Sequence, residues 1–168
     1  ESVAELWQSL VDIYNDKGNY YYHDRDEYDA AEESFNSAIT KGIEALAYLD
    51  NNGGVIDSED ERRDRLNRLI GGTYLTLGWL YRDELDDEVV AAGKFTAAIE
   101  YLEEVSDSSD NSDYYWALRD IADAKLGLYD YDGAREAYDS ILEIIDDFDP
   151  DDKGRTIVDR ANTYDQEF

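Results

Sequence analysis

Few residues in this chain are equipped for covalent chemistry. There is no cysteine, so a thiolate nucleophile and a disulfide are both excluded, and the redox compartment leaves no mark. His23 is the sole histidine, the side chain best suited to proton transfer near neutrality, and no partner for it is evident in its loop. No glycine-rich phosphate loop and no Gly-x-Ser-x-Gly elbow occurs. Carboxylates number 43, so a close pair of them is expected by coincidence and singles out no acid–base site. Asp147, Asp149 and Asp151 alternate as calcium-loop ligands do. However, no glycine sits at the sharp-turn place and no glutamate closes a loop of ~12 residues. Asp130-Tyr131-Asp132-Gly133 is shorter still. The expectation is a chain with no catalytic residue, no cofactor and no metal. One aromatic cluster remains, Tyr20-Tyr21-Tyr22 before His23. Three adjacent tyrosines cannot all point inward. Either they fold back over the end of a hairpin, or they form a secondary surface for a partner or for self-association.

The charge is extreme. Forty-three acidic residues face 15 basic ones, for a formal net charge of −28. A hydrophobic content of 42% still supplies a core, which argues against disorder. No apolar run approaches the ~20 residues of a membrane helix. Asp outnumbers Glu by 27 to 16, and Lys numbers five against ten Arg. Such a surface fits salt adaptation, because carboxylates stay hydrated where ions screen their repulsion. A nucleic-acid mimic would concentrate its charge on one face, whereas here acidic residues occur in every segment. Direct nucleic-acid binding needs Lys and Arg patches that the chain lacks. The expected location is the cytoplasm of a salt-adapted organism. The first residue is Glu1 rather than Met, which leaves a processed or secreted form open.

The elements that must position any site are helical, since apolar residues recur at helical spacing and no alternating strand pattern survives. The spacing predicts a first helix from about Ser2 to Asn15, with Leu6, Trp7, Leu10, Val11 and Tyr14 on one face. A loop is expected over Gly18–Arg25. A second helix, about Glu27 to Leu49, buries Ala31, Phe35, Ala38, Ile39, Ile43 and Leu46. Asn51-Asn52-Gly53-Gly54 stops it. Ser58, with Glu61 in a capping box, opens a long third helix to about Arg82. Its charged start, Glu59–Arg68, is expected to project, and Gly71 and Gly72 to bend it. A fourth helix follows over about Asp87–Val105, then a polar linker from Ser106 to Ser112. A fifth ends near Gly127, and a sixth runs from about Tyr131 to Asp147, before Pro150. The last, about Asp152 to Tyr164, turns Ile157, Val158, Ala161 and Tyr164 to one face.

Two patterns recur. Ala31, Phe35 and Ala38 share their spacing with Ala91, Phe95 and Ala98, and with Ala134, Tyr138 and Ile141. Upstream lie Trp7, Leu10, Val11, Tyr14; then Tyr74, Leu77, Gly78, Tyr81; then Leu118, Ile121, Ala122, Lys125. The paired patterns resemble the tetratricopeptide repeat, a helix pair in which small residues let backbones approach and aromatics fill the gaps. The middle copy matches best. The first has Val11 at the glycine place, and the third has Ala122 there and Lys125 for Tyr. The family period is ~34 residues. The steps here, Ala31 to Ala91 and Ala91 to Ala134, are longer, and the excess is assigned to loops at Asp16–Asp26, Asn51–Arg65 and Asp107–Asn111. The resemblance implies an all-α, right-handed α-solenoid of three helix-turn-helix repeats in a single domain. Repeat 1 covers about 2–50, repeat 2 about 58–105 and repeat 3 about 112–149, with a C-terminal capping helix at about 152–165.

The resemblance also implies a concave groove lined by the first helix of each pair. Its positions fall on Glu5, Gln8, Asp12 and Asn15, on Leu75, Trp79 and Arg82, and on Trp116, Arg119 and Asp123. Trp and Arg are frequent binding hot spots, and an aromatic shelf beside guanidinium groups suits a peptide carboxylate. Alternatively the tryptophans pack between repeats and the arginines pair with nearby carboxylates. The leading expectation is a non-enzymatic scaffold that docks a peptide or partner protein, with neither nucleic acid nor membrane as partner. Two alternatives stand beside it, an acidic mimic that sequesters a basic partner and a self-assembling subunit. If the charge is a salt adaptation, the melting temperature should rise strongly with NaCl into the molar range. A flat response in thermal denaturation would remove that reading.

Overall fold

The computed structural model describes residues 3–52, 59–107, 112–148 and 153–166. Ser58, Gly53, Gly54, Asp149, Pro150 and Asp151, named above for caps, stops and a calcium pattern, lie outside them. Among the described residues the chain is all helix, with no strand. The elements are α1 (Val3–Asn19), α2 (Tyr28–Asn52), α3 (Glu59–Trp79), α4 (Glu88–Leu102), α5 (Ser112–Gly127), α6 (Tyr131–Phe148) and α7 (Lys153–Gln166). Helices α1 and α3 each run on into one wide π-turn, Tyr20–Asp24 and Leu80–Glu84. The helices pair in order, α1 with α2, α3 with α4 and α5 with α6. Each hairpin packs on the next, and α7 packs on α6. No described helix is long and apolar enough to cross a membrane.

The first two hairpins repeat at an interval of 60 residues, down to single hydrogen bonds. Glu27 N–H donates to Tyr21 O at 3.0 Å, and Asp87 N–H to Tyr81 O at 2.8 Å. Asp26 and Asp86 both take the left-handed conformation, at φ 53° and 51°. Asp tolerates that region better than most residues. The third hairpin closes one residue sooner, with Asp130 N–H on Lys125 O at 2.9 Å and Tyr129 at φ 60°. That is the ordinary Schellman closure; the π-turns are the same device with one residue added. Side-chain caps then start the second helices. Asp87 accepts from Val90 N–H and Asp130 from Gly133 N–H, each at 3.0 Å. Asp130, considered above as part of a short acidic run, is thus a helix cap.

This interval moves the first copy of the motif by two turns. Its glycine is Gly18, not the position of Val11, and its tyrosine is Tyr21, not Tyr14. The expected loop at Gly18–Arg25 is helical through Asp24. The reason is packing. A Cβ built on Gly18 would lie 2.5 Å from the Phe35 ring, and one on Gly78 2.4 Å from the Phe95 ring. Bare backbone at these two positions is what lets each phenylalanine lie flat against the first helix of its pair. Both rings are buried, among Ala31, Ile39, Ile70, Leu77 and Leu80 in one cluster and Ala91, Leu102, Tyr115 and Tyr138 in another.

Much of the extra length assigned to loops is therefore helix, at 16–24, 51–52 and 59–65. The expected projection of Glu59–Arg68 is not observed. Leu66 and Ile70 are buried, and Gly42 of α2 admits Ile70 at close range. Buried Asp64 accepts from both the N–H and the hydroxyl of Ser106, at 3.0 Å each. Arg63 reaches Asp50 at 2.9 Å, and Arg65 and Arg68 reach Asp113 at 3.2 and 2.5 Å. The charged half of α3 is thus clasped between α2 and the start of α5. Gly71 faces Leu102 and serves close helix approach rather than a bend. Two further expectations change: Leu6 and Leu10 of α1 and Ile43 of α2 are exposed.

Replacing Gly18 or Gly78 with Ala should destabilise the fold by about 1–3 kcal/mol, the usual cost of overpacking. Gly93 meets nothing within 4 Å, so its replacement with Ala should stabilise by about 0.5–1 kcal/mol. Urea unfolding of the three variants separates the two signs.

Candidate binding groove

Helices α1, α3 and α5 present neighbouring faces, and the predicted site residues distribute unevenly over them. Leu75 is buried in the core rather than lining a groove. Trp79 packs edge-on against Phe95, ring centroids 5.0 Å apart. The Arg82 guanidinium lies over three rings, 5.4 Å from Trp79, 4.9 Å from Phe95 and 4.7 Å from Tyr129. It also donates to Gly127 O and, at 3.0 Å, to Glu88. Trp79 therefore packs inside the second hairpin and Arg82 joins that hairpin to the third, which is the packing alternative. Arg119 reaches Thr156 at 3.2 Å and Asp159 at 3.5 Å, tying α5 to α7. Trp116 is exposed and stands edge-on to Tyr115. The structure does not gather the two tryptophans and two arginines into one free shelf.

Of the tyrosine run, Tyr21 and Tyr22 pack on the Phe35 cluster, and Tyr20 is exposed. His23 stacks on Tyr22 at 4.4 Å. Glu5 pairs with Arg62 at 3.4 Å, and Gln8 is half-buried on α1.

Asp12 and Asn15 lie where a groove does form, whereas Asp123 is exposed on α5 and does not line it. Between α1 and α3 opens a cleft of about 250 Å³, with Asp12, Asn15, Asp16 and Asn19 on one wall and Arg68, Thr73 and Thr76 on the other. It exists because α1 and α3 diverge: α1 touches α3 much less than α3 touches α5. Thr73 bridges the gap by its hydroxyl, 2.7 Å from the Asn15 side-chain oxygen. Gly72 forms the far edge. With no side chain there, Asp120 of α5 comes within 3.4 Å of its Cβ position. Asp120 therefore lies behind the Gly72 edge of the cleft.

The electrostatics of this face are unusual even for so acidic a chain. Burial pushes the Asp120 carboxyl up to about 7, helped by the charge of Asp123 and opposed by Arg68 and Arg119. Burial also raises Asp123, against the pull of Arg119, although Asp123 keeps a solvent-open side. Asp12 is raised by burial in the same way, with Arg65 and Arg68 opposing. Three carboxylates are therefore crowded by protein and only partly compensated. Among the described residues no cluster could hold a metal ion.

Asp16, Asn19, Arg68, Thr73, Thr76 and Asp120 were not singled out from the sequence. Asn19 lies 60 residues before the groove position Trp79, so aligning the copies on Gly18 and Gly78 places it, whereas Asp16 and Thr76 share a position that the repeat spacing does not mark. No protein-family model matches the chain, and comparison with curated proteins and with solved structures finds no significant match.

Asp120 gives the groove a pH signature. Its pKa is higher folded than unfolded, so the folded state holds the extra proton. Its stabilising contribution is complete below about pH 4 and is lost as pH rises through about 7. Relative to Asp120→Asn, the wild type should lose on the order of 2 kcal/mol between pH 4.5 and 7.5, after discounting for residual solvent access. Urea unfolding at those two pH values measures the difference; equal slopes for both proteins would refute it.

Proposed function

We propose that this chain is a non-enzymatic scaffold: a solenoid of three hairpins, resembling tetratricopeptide repeats, that holds a segment of a partner protein along the α1–α3–α5 face. The observation that carries this reading is the cleft between α1 and α3, polar on both walls, with Asp120 behind its Gly72 edge. It favours a cationic occupant over the acidic peptide that a Trp/Arg shelf would suit. A lysine or arginine side chain entering beside Asp12, Asp16 and Asp120 would supply the positive charge these crowded carboxylates lack. The same chemistry supports sequestration of a basic partner, through one groove rather than through the whole acidic surface.

Fluorescently labelled peptides of equal length, one set rich in Lys and Arg and one in Asp and Glu, test the reading at moderate salt. The basic set should bind, and the double variant Asp16→Asn, Asp120→Asn should weaken it by about tenfold or more, as loss of charge-assisted bonds does. Basic peptides that bind both proteins equally would mean diffuse attraction to a polyanion and no groove.

A further inference from the structure

The two seams between the hairpins are built from equivalent positions and are filled differently. Ala91 of α4 corresponds to Ala134 of α6, and the carbonyls of Tyr81 and Lys125 are the equivalent acceptors that close the second and third turns. On that register Tyr74 and Tyr81 correspond to Leu118 and Lys125. Lys94 and Tyr101 correspond to Ala137 and Ile144. At the first seam, where the second hairpin meets α2, the four larger side chains fill the space. Tyr74 stacks on Tyr101, ring centroids 5.7 Å apart and planes 20° from parallel. The Lys94 ammonium lies over the rings of Tyr74 and Tyr81, at 5.7 and 5.8 Å. Tyr81 donates its hydroxyl proton to Glu32 of α2, and all three tyrosines pack on the Phe35 cluster.

At the second seam, where the third hairpin meets α4, the replacements leave a pocket. It measures about 310 Å³ and is bounded by Leu118, Lys125 and Ala137, the successors of Tyr74, Tyr81 and Lys94. Leu102, Val105 and Ile121 complete an apolar floor with Leu118, all of them buried. Glu103, Asp107 and Glu136, all exposed, stand round the mouth. Both walls lie inside the array, on the second and third hairpins, and no residue of this pocket lines the α1–α3 cleft.

We propose that this pocket receives one aromatic side chain of a partner segment, presented between basic residues. The first seam shows what such a space takes: a ring on an apolar bed, with an ammonium over its face. Lys125 can supply that ammonium as Lys94 does. The volume is at the small end of ligand sites, so it admits a single ring rather than a folded surface. Lys or Arg beside the ring would meet the three carboxylates at the mouth. The ring gives affinity that charge alone cannot, which matters in a chain whose whole surface attracts cations weakly.

Two labelled peptides of equal charge test this by fluorescence anisotropy, Lys-Lys-Tyr-Lys-Lys and Lys-Lys-Ala-Lys-Lys, in about 0.5 M NaCl to screen diffuse attraction. The tyrosine peptide should bind about tenfold tighter. Leu118→Tyr with Ala137→Lys rebuilds the filling of the first seam and should remove that preference. Lys125→Met, which keeps the stem and loses the charge, should reduce it about threefold. The double variant Asp16→Asn, Asp120→Asn should leave the ratio of the two affinities unchanged, whatever it does to each, and so separates this pocket from the cleft. Amide NMR shifts of the wild type locate the ring without any substitution: the differences between the two peptides should centre on Leu118, Ala137 and Ser140. Equal affinity for the two peptides overturns the proposal, as does a preference that survives the filled pocket or shift differences centred elsewhere. An equal preference for the ring when glutamates replace the flanking lysines overturns the basic partner.

Discussion

A phenyl ring lying against bare backbone is the contact on which this architecture turns. Phe35 and Phe95 fill the spaces over Gly18 and Gly78, and a methyl group at either glycine would already overlap the ring. Two helices can then run close enough for Ala31 or Ala91 to be buried completely between them. The same Phe95 ring also meets Gly127 of the next hairpin and supports Trp79 and Arg82. One aromatic therefore fixes the spacing inside its own hairpin and the seat of its neighbour. Because the ring has no room to move, the register of α1 on α2 and of α3 on α4 follows from it.

A net charge of −28 would be expected to push such an array apart, and the placement of the few cations answers that. Arg63, Arg65 and Arg68 tie α3 to α2 and α5, Arg82 links the second hairpin to the third, and Arg119 and Arg160 hold α7. Each reaches from one helix to another part of the fold, where a guanidinium can satisfy several acceptors at once. Scarce positive charge is concentrated at junctions, and among the described residues most other carboxylates lie at the surface, buried Asp64 being held by Ser106. The exception is the α1–α3–α5 face, where Asp12, Asp120 and Asp123 stay crowded despite Arg68 and Arg119 nearby. That imbalance distinguishes the groove from the rest of an acidic surface.

The helices were legible because apolar period and turn residues act locally. Asp87, Gly127 and the Ala-Phe-Ala runs marked α4, α5 and the start of each second helix correctly. What was not legible depended on partners. Gly18 reads as a breaker unless one knows that Phe35 lies over it, so α1 was cut short and its motif placed two turns early. That shift carried the first-copy groove positions with it, which is why Asn19 is passed over. Trp79 and Arg82 read as a binding shelf because sequence cannot say that Tyr129 and Gly127 come back to enclose them. Charged Glu59–Arg68 read as projecting because its acceptors, Asp50, Asp113 and Ser106, lie far along the chain.

The seating of each hairpin on the next follows from the same packing logic. Within the chain, each hairpin is completed by the next: an apolar row on the first helix of one, a small-residue surface on the second helix of the other. Helix α1 carries the same row at Leu6, Leu10 and Ile13, in register with Leu66, Ile70 and Thr73 of α3, but exposed where those three are buried. Equal spacing with unequal burial shows that the row is set locally, while its burial is set by the helix packed against it.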